Sequence, residues 1–127
     1  MDCGLKKEKG PSIEFIRNSI VGMKGVKIGL WGGEATMRED LPEIIKLIKD
    51  SGNIPALYTN GIKISDISYL KQLKDNGLGI VHLQFDGFDD EFYKNYYGKK
   101  LLSIKEKALS NLRKLEIVTA IQSIITN

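Results

Sequence analysis

The chain has 127 residues, of which 42% are hydrophobic and 28% charged, and its formal net charge at pH 7 is +3. This composition is ordinary for a globular protein and excludes wholesale disorder. The length fits one domain but excludes a closed barrel of eight strand-helix units, which needs roughly 200 to 250 residues. The lysines are spread over amphipathic segments, so we interpret them as solvated helix faces and expect no nucleic-acid partner.

A single cysteine, Cys3, is present, which excludes a disulfide within the chain. The sequence shows no signal peptide and no apolar run of about 18 residues, so we expect no membrane span and a cytoplasmic location. Cys3 stands almost at the start of the chain, and no strand is predicted before it.

Segments of helix and strand character alternate along the chain. In chain order, the patterns predict a helix over 12–21, a strand over 26–31, a helix from Leu41 to a stop at Gly52, a strand over 55–59, a helix from Ile67 to Asn76 and Gly77, a strand over 80–85, a helix over 101–115 and a strand over 117–125. Asp40 and Glu43 are predicted to form a capping pair at the start of the second helix. The order α-β-α-β-α-β-α-β predicts an α/β fold with a parallel sheet, because a parallel connection must cross from one end of the sheet to the other.

Each of the first three predicted strands is followed by a loop that combines glycine with an acid or an amide. These loops read Trp31-Gly32-Gly33-Glu34, Tyr58-Thr59-Asn60-Gly61 and Gln84-Phe85-Asp86-Gly87. The working residues of parallel βα folds lie in such loops, at the carboxyl ends of the strands. Glycines let the backbone approach a ligand closely, and a glutamate beside them can accept hydrogen bonds from a ligand ammonium group. Each loop taken alone is also explained by ordinary turn chemistry.

Aromatic side chains and the only histidine also stand on these strands. We interpret Trp31, Tyr58 and Phe85 as core or pocket wall. His82 lies in the middle of a predicted strand, so we interpret it as a packed or outward-facing side chain, not as a ligand or general base.

In their order and spacing, the three loops resemble those of radical S-adenosylmethionine (radical SAM) enzymes. Gly32-Gly33-Glu34-Ala35-Thr36, followed by Met37-Arg38-Glu39-Asp40-Leu41, is similar to the Gly-Gly-Glu-Pro-Thr and Leu-Arg-Glu-Asp-Leu stretch of that family. Thr59-Asn60-Gly61 and Phe85-Asp86-Gly87 resemble the Thr-Asn-Gly and Leu-Asp-Gly that end the family's next two strands. The resemblance runs from Cys3 to Asn127. It implies that residues 1–127 form a partial (βα) barrel without its N-terminal cluster-binding strand and its C-terminal part.

The resemblance also implies where S-adenosylmethionine (SAM) would bind. Gly32, Gly33 and Glu34 would lie along the methionine moiety, with backbone and carboxylate engaging its amino group. Thr59 and Asn60 would border the cofactor pocket.

On the adenosine side, Gln84 would contact the ribose, while Gln122 and Ser123 on the last strand would help to close the pocket. In the intact parent enzyme, the resemblance implies a 4Fe-4S cluster that cleaves SAM to methionine and a 5′-deoxyadenosyl radical. That radical abstracts a hydrogen atom from the substrate, and the protein's task is to position the reactants.

The sequence departs from the family pattern at two places. Ala35 replaces the usual proline, and the Cys-x3-Cys-x2-Cys motif that holds the cluster is absent. Cys3 stands where the third cysteine is expected, so we take it as a cluster ligand. One thiolate cannot hold a 4Fe-4S cluster. We therefore expect the genome to encode two more cysteines upstream, one directly before Met1 and one four residues earlier.

Other interpretations remain open. One is a degenerate, non-catalytic module that keeps the radical SAM fold for binding or assembly. Another is a small doubly wound domain of the receiver or flavodoxin type, although Glu34 behind two glycines fits neither an acidic cluster nor a phosphate loop.

Partners are predicted from the third loop and from the incomplete fold. The stretch 84–93 resembles a subgroup that methylates pterin precursors or joins lipid chains, which implies a small pterin-like or lipid substrate. A partial barrel exposes strand edges and an apolar surface, which favours self-association or a partner that supplies the missing barrel half.

Overall fold

The structure is a computed structural model that describes residues 10–87 and 89–123. Cys3, the predicted cluster ligand, lies outside the described residues, as do the last residues of the fourth predicted strand. The helices are α1 (Ile13–Ser19), α2 (Leu41–Asp50), α3 (Ile67–Asp75), α4 (Asp90–Tyr97) and α5 (Leu102–Lys114). The strands are β1 (Lys27–Leu30), β2 (Ile54–Thr59), β3 (Ile80–Gln84) and β4 (Val118–Gln122), and single 3₁₀ turns follow β1 and β2 at Ala35–Met37 and Lys63–Ser65.

In the described part of the chain, four strands form one parallel sheet in the order β1-β2-β3-β4. Sequential strands are therefore neighbours, and the helices between them provide the crossovers that parallel pairing requires. This arrangement confirms the predicted α/β class with alternating helices and a parallel sheet. All strand carboxyl ends lie at one edge of the sheet.

One face of the sheet carries the hydrophobic core. Leu57, Val81 and Leu83 are fully buried there, and they belong to one cluster with side chains of α2, α3 and α5. Because successive side chains of a strand point to opposite faces, the alternate residues stand on the second face. We call this second face the open face. Its members are Lys27, Gly29, Ile54, Ala56, Tyr58, Ile80, His82, Gln84, Val118, Ala120 and Gln122.

The connection between β3 and β4 differs from the prediction. One helix was predicted there, whereas the structure has α4 before α5. The side chain of Asp89 starts α4 by accepting a hydrogen bond from the backbone N–H of Phe92 at 2.8 Å. Gly98 ends it with a left-handed φ of 73°, a conformation that favours glycine. The predicted helix over 101–115 corresponds to α5 alone.

The start of α2 also differs from the prediction. Asp40 occupies the position before the helix, but its side chain makes no capping hydrogen bond. Its carboxylate instead accepts two hydrogen bonds from the Arg38 guanidinium, at 2.7 and 3.0 Å. The ion pair competes with the cap because a guanidinium matches both carboxylate oxygens at once.

Two strands form the edges of the sheet within the described part of the chain. β1 pairs only with β2 there, and β4 pairs only with β3. Val118 and Ile121 of β4 are 66% and 51% exposed. Among residues 10–87 and 89–123, no helix has both the length and the apolar character needed to cross a bilayer.

Candidate functional site

A cleft of about 230 Å³ opens at the carboxyl ends of the four strands. The structure brings together there every described residue that was predicted to contact a cofactor. The lining residues are Trp31, Gly32, Gly33, Glu34, Tyr58, Thr59, Asn60, Gln84, Gln122 and Ser123. A second cavity of about 910 Å³ shares residues 31–34 with it, so the Gly-Gly-Glu loop separates two spaces. That these residues bind a cofactor stays a prediction.

The carboxylate of Glu34 is held by three hydrogen bonds from the chain itself. The hydroxyl groups of Thr36 and Thr59 both donate to Oε2 at 2.6 Å, and the backbone N–H of Asn60 donates to Oε1 at 3.0 Å. A carboxylate oxygen accepts about two hydrogen bonds, so Oε2 is filled and Oε1 can accept one more. Glu34 therefore fastens the loop after β1 to the end of β2, a role that its motif alone did not reveal.

The end of β2 turns sharply at Gly61. Its φ is +88°, and an added Cβ would lie 2.6 Å from Cδ1 of Leu83. The side chains of Thr59 and Asn60 accept hydrogen bonds from the backbone N–H groups of Gly61 and Ile62. This turn brings Thr59 and Asn60 to the rim of the cleft, and only glycine fits where it bends.

Lys105 of α5 is a site residue that the sequence analysis missed. It is only 3% exposed, and its Nζ donates to the backbone carbonyls of Asn60 at 2.6 Å and Gln84 at 2.8 Å. Burial lowers the pKa of Lys105, while the charges of Asp86 and Glu34 oppose that shift. The signal was present in the sequence, since position 105 lies on the apolar stripe of its helix with Ala108 and Leu112. The ammonium group thus joins two strand ends that border the cleft.

The side chain of Gln84 is oriented by Asp86. The Gln84 Nε2 donates to Oδ2 of Asp86 at 2.9 Å, and the Tyr97 hydroxyl donates to the same oxygen at 2.6 Å. This second hydrogen bond raises the pKa of Tyr97 to about 12, with burial as a smaller cause. The ionised carboxylate of Asp86 can only accept, so it fixes the orientation of the Gln84 amide with Nε2 toward Asp86. The amide oxygen therefore points away from Asp86 and can accept a hydrogen bond from a ligand.

The end of β4 is linked to the loop after β3. The backbone N–H of Phe85 donates to the carbonyl of Gln122 at 2.9 Å, and the Ser123 hydroxyl donates to the carbonyl of Phe85 at 2.8 Å. Phe85 itself is buried in the core, whereas Gln122 and Ser123 are exposed at the cleft.

Three rings form a row across the open face beside the cleft. The ring centroids of Trp31 and Tyr58 lie 4.3 Å apart in an edge-on arrangement, and those of Tyr58 and His82 lie 4.1 Å apart in parallel planes. Lys27 Nζ lies 3.4 Å from Nε2 of His82. Partial burial lowers the pKa of His82, and the Lys27 charge lowers it further. His82 thus faces the open side of the sheet, in agreement with its interpretation as a packed or outward-facing side chain.

A parallel sheet with glycine-rich loops and a cleft at its carboxyl edge defines an α/β protein of the ligand-binding βα type. The chain belongs to the radical SAM superfamily, whose family profile matches residues 6–126. Because the chain belongs to this superfamily, neither a receiver-type or flavodoxin-type domain nor a non-catalytic module is the favoured interpretation.

Relatives in archaea are similar over most of the chain. A 7,8-dihydro-6-hydroxymethylpterin dimethyltransferase of Methanocaldococcus jannaschii is 51% identical over 85 residues, which cover 66% of this chain and 17% of that protein. A probable GTP 3′,8-cyclase of Methanococcus aeolicus is 38% identical over 119 residues, covering 87% of this chain and 38% of that protein. The corresponding protein of Sulfurisphaera tokodaii is 33% identical over 110 residues, or 78% of this chain and 34% of that protein. The chain thus spans well under half the length of these relatives.

Radical SAM enzymes use SAM and a 4Fe-4S cluster, and the two cofactors fit this chain differently. The cleft offers backbone, amide and hydroxyl groups suited to SAM. In contrast, the whole chain contains one cysteine, whereas the cluster needs three thiolates. In residues 10–87 and 89–123, no group of three or more His, Cys, Asp or Glu side chains could hold a metal ion. The residues present therefore fit SAM and do not fit the cluster.

Proposed function

We propose that the cleft at the carboxyl edge of the sheet is the SAM-binding part of a radical SAM enzyme. The observation that carries this proposal is the convergence of Gly32-Gly33-Glu34, Thr59-Asn60 and Gln84 on one cleft. These residues come from three separate loops of a chain that belongs to the superfamily. Generation of the 5′-deoxyadenosyl radical is proposed for the protein in which this cleft works together with a three-thiolate cluster.

The methionine end of SAM would lie along Gly32 and Gly33. Both glycines are exposed, and a Cβ added at either would meet no atom within 4 Å. Their backbone is therefore open to close approach by a ligand. The remaining acceptor site on Oε1 of Glu34 would take one hydrogen bond from the SAM ammonium group.

The adenosine end of SAM would lie toward β3 and β4. The amide oxygen of Gln84 would accept a hydrogen bond from a ribose hydroxyl, because Asp86 already takes its Nε2. Gln122 and Ser123 would close this side of the cleft. Lys105 would act as a positioning residue, since it holds the carbonyls of Asn60 and Gln84 and does not itself line the cleft.

The substrate class follows from the relatives. One is named for a methyl transfer to a pterin and two for the cyclisation of GTP. Pterin and guanine share a 2-amino-4-oxopyrimidine ring fused to a second nitrogen ring. We therefore propose a small molecule with this fused ring system, which favours the pterin-like substrate over the lipid.

Gly33→Ala tests the SAM site separately from the fold. The backbone of Gly33 is not left-handed and its surroundings are open, so alanine should fit the free chain and leave the free energy of unfolding within about 0.5 kcal/mol. In the cleft, the extra methyl group would meet SAM. Overpacking of this kind costs about 1–3 kcal/mol, so SAM affinity should fall roughly tenfold. Amide NMR shifts during SAM titration of the full chain measure the affinity.

Gly22→Ala is the matched control. Gly22 also has open surroundings, but its φ is +86° and it lies outside the cleft. Alanine there should lower stability by about 1 kcal/mol and leave SAM affinity unchanged. Equal SAM affinity in the Gly33 variant and the parent chain, or the absence of SAM-induced shifts at the cleft of the parent chain, would contradict the proposal.

A further inference from the structure

We infer that the open face binds the planar ring of the substrate between His82 and β4, as a fourth ring in the row formed by Trp31, Tyr58 and His82. This inference rests on the proposed function, because it places the substrate beside the SAM cleft. It assigns His82 and the position above Ala120 to the substrate, whereas the loops at the strand ends are assigned to the cofactor.

The row of rings follows the register of the sheet. Trp31 comes directly after β1, Tyr58 belongs to β2, and Tyr58 is in register with His82 of β3. Neighbouring strands lie about 4.8 Å apart, which is close to the spacing of stacked rings. The row thus takes one ring from the end of β1, one from β2 and one from β3. Gly29 makes room for this row, since an added Cβ would lie 2.9 Å from Cε1 of Tyr58.

The row ends in a small side chain. The residue of β4 in register with His82 is Ala120. Tyr58 covers the face of the imidazole toward β2, so the opposite face points toward β4. The side chain of Ala120 is a single methyl group, and the residue is only partly buried. The position above Ala120 can therefore take a planar ring that stacks on His82.

Polar groups border this position on the side of the cleft. Gln84 and Gln122 are in register two residues beyond His82 and Ala120, on the same face of the sheet. The Gln84 amide is held by Asp86 through its Nε2. The exposed side-chain amide of Gln122 can both donate and accept hydrogen bonds, as the edge of a 2-amino-4-oxopyrimidine ring requires. Both glutamines also line the cleft, so the ring position is continuous with the cofactor site. This mixture of rings and amides suits a heterocycle better than an apolar segment of protein.

Exposure of the rings supports a ligand on this face. Trp31 is 68% exposed, although an indole gains much by burial. Tyr58 and His82 are partly exposed. The ring atom of His82 that Lys27 Nζ contacts is Nε2, at 3.4 Å.

The test measures heterocycle binding to the full chain in the presence of saturating SAM. GTP and 7,8-dihydro-6-hydroxymethylpterin serve as separate probes, and equilibrium dialysis gives each affinity. The variants are His82→Leu, which removes the ring, His82→Phe, which keeps one, and Ala120→Leu, which fills the position above β4. Phe15→Leu removes an exposed ring of α1 and is the control.

We expect His82→Leu and Ala120→Leu to weaken binding of at least one probe by about fivefold or more, which is the lower range for loss of base stacking. His82→Phe and Phe15→Leu should stay within about twofold of the parent chain. SAM-induced NMR shifts should be kept in every variant, which shows that the cleft is still folded. The probe that binds more tightly identifies the substrate as a pterin or a guanine nucleotide.

The inference is overturned if Ala120→Leu binds both probes as the parent chain does, or if His82→Phe loses as much affinity as His82→Leu. Competition between SAM and the probes would also overturn it, because the position would then belong to adenine. A chain that binds SAM but neither probe refutes this inference alone. A chain that binds a probe but not SAM refutes the proposed function and leaves the stacking position standing.

Discussion

At the scale of single residues, Glu34 has a structural task that precedes any contact with a ligand. Its carboxylate takes hydrogen bonds from two threonine hydroxyls and one backbone N–H. Hydrogen bonds to an ionised acceptor are stronger than neutral ones. The orientation of Thr59 and Asn60 at the rim of the cleft therefore depends on this side chain.

Glu34→Gln should lower the free energy of unfolding by about 1–3 kcal/mol, because the amide loses the charge and in one orientation sets NH₂ against the N–H of Asn60. SAM affinity should fall roughly tenfold as the rim loses its support. Urea denaturation and SAM titration measure the two effects. Glu43→Gln, on the exposed side of α2, is the control. In a double-mutant cycle, the losses of unfolding free energy caused by Glu34→Gln and Thr59→Val should sum to more than the loss in the double variant. Strict additivity of these losses would show that the Thr59–Glu34 hydrogen bond contributes nothing to stability.

His82 gives a second residue-scale prediction, on pH. The pKa of His82 should lie below the ordinary 6.5, because burial and the Lys27 charge both disfavour the protonated ring. The unfolded chain then binds more protons in acid than the folded one, so stability is complete above pH 6.5 and falls as the pH drops through the folded pKa.

The chain has one histidine, so its NMR titration needs no assignment among several rings. Lys27→Gln should raise this pKa part of the way toward 6.5, since burial remains. Lys46→Gln, in an exposed part of α2, should leave it unchanged. A pKa above 6.5 in the parent chain would mean that the imidazole does not lie partly buried between Tyr58 and Lys27.

At the scale of elements, α5 joins the ends of β2 and β3 through a single ammonium group. The hydrogen bonds from Lys105 span 45 and 21 positions of sequence. Asn111 of the same helix donates to the carbonyls of Ile64 and Ser65 in the turn after β2. The helix therefore fixes the loops that border the cleft, in addition to covering the core.

Lys105→Met should lower the free energy of unfolding by about 1–3 kcal/mol, because it keeps the apolar stem but leaves two carbonyls without their donor. The amide NMR signals of Asn60, Gly61 and Phe85 should shift, while those of α1 should not. Lys107→Met, on the exposed side of α5, is the matched control. If both variants unfold at the same urea concentration, the hydrogen bonds of the Lys105 ammonium group do not stabilise the fold.

At the scale of the whole molecule, the chain combines the cleft at the carboxyl edge of its sheet with a single cysteine thiolate. Cluster assembly within one monomer needs more ligands than the chain contains. Anaerobic reconstitution with iron and sulfide should therefore give less than one stable 4Fe-4S cluster per monomer. Iron and sulfide analysis, together with visible absorption, measures the yield, and Cys3→Ser shows what the thiolate adds. A full cluster per monomer would overturn the ligand argument.

Within residues 10–87 and 89–123, the sheet has two edge strands, β1 and β4, and an open face. Edge strands with exposed apolar side chains such as Val118 and Ile121 favour pairing with further chain. Self-association, or coverage by the remaining part of a barrel, therefore stays a prediction for this molecule.

The parallel α/β class, the strands and the meeting of three loops at one edge of the sheet could all be predicted from the sequence. These features follow from local patterns: runs of β-branched residues, helical spacing of apolar residues and glycine turns. Parallel pairing then places every strand end on the same side. Even so, no separate helix was predicted for α4, because it has only eight residues and Tyr93 alone marks its buried side.

The packing of the folded chain, in contrast, sets which polar groups of the cleft already hydrogen-bond to the chain itself. The carboxylate of Glu34 meets Thr59 across 25 positions, Lys105 meets Asn60 across 45, and Lys27 meets His82 across 55. No periodicity in the sequence encodes such distances. They depend on the register of the strands and on how far each side chain reaches, and both are set when the sheet and its helices pack together.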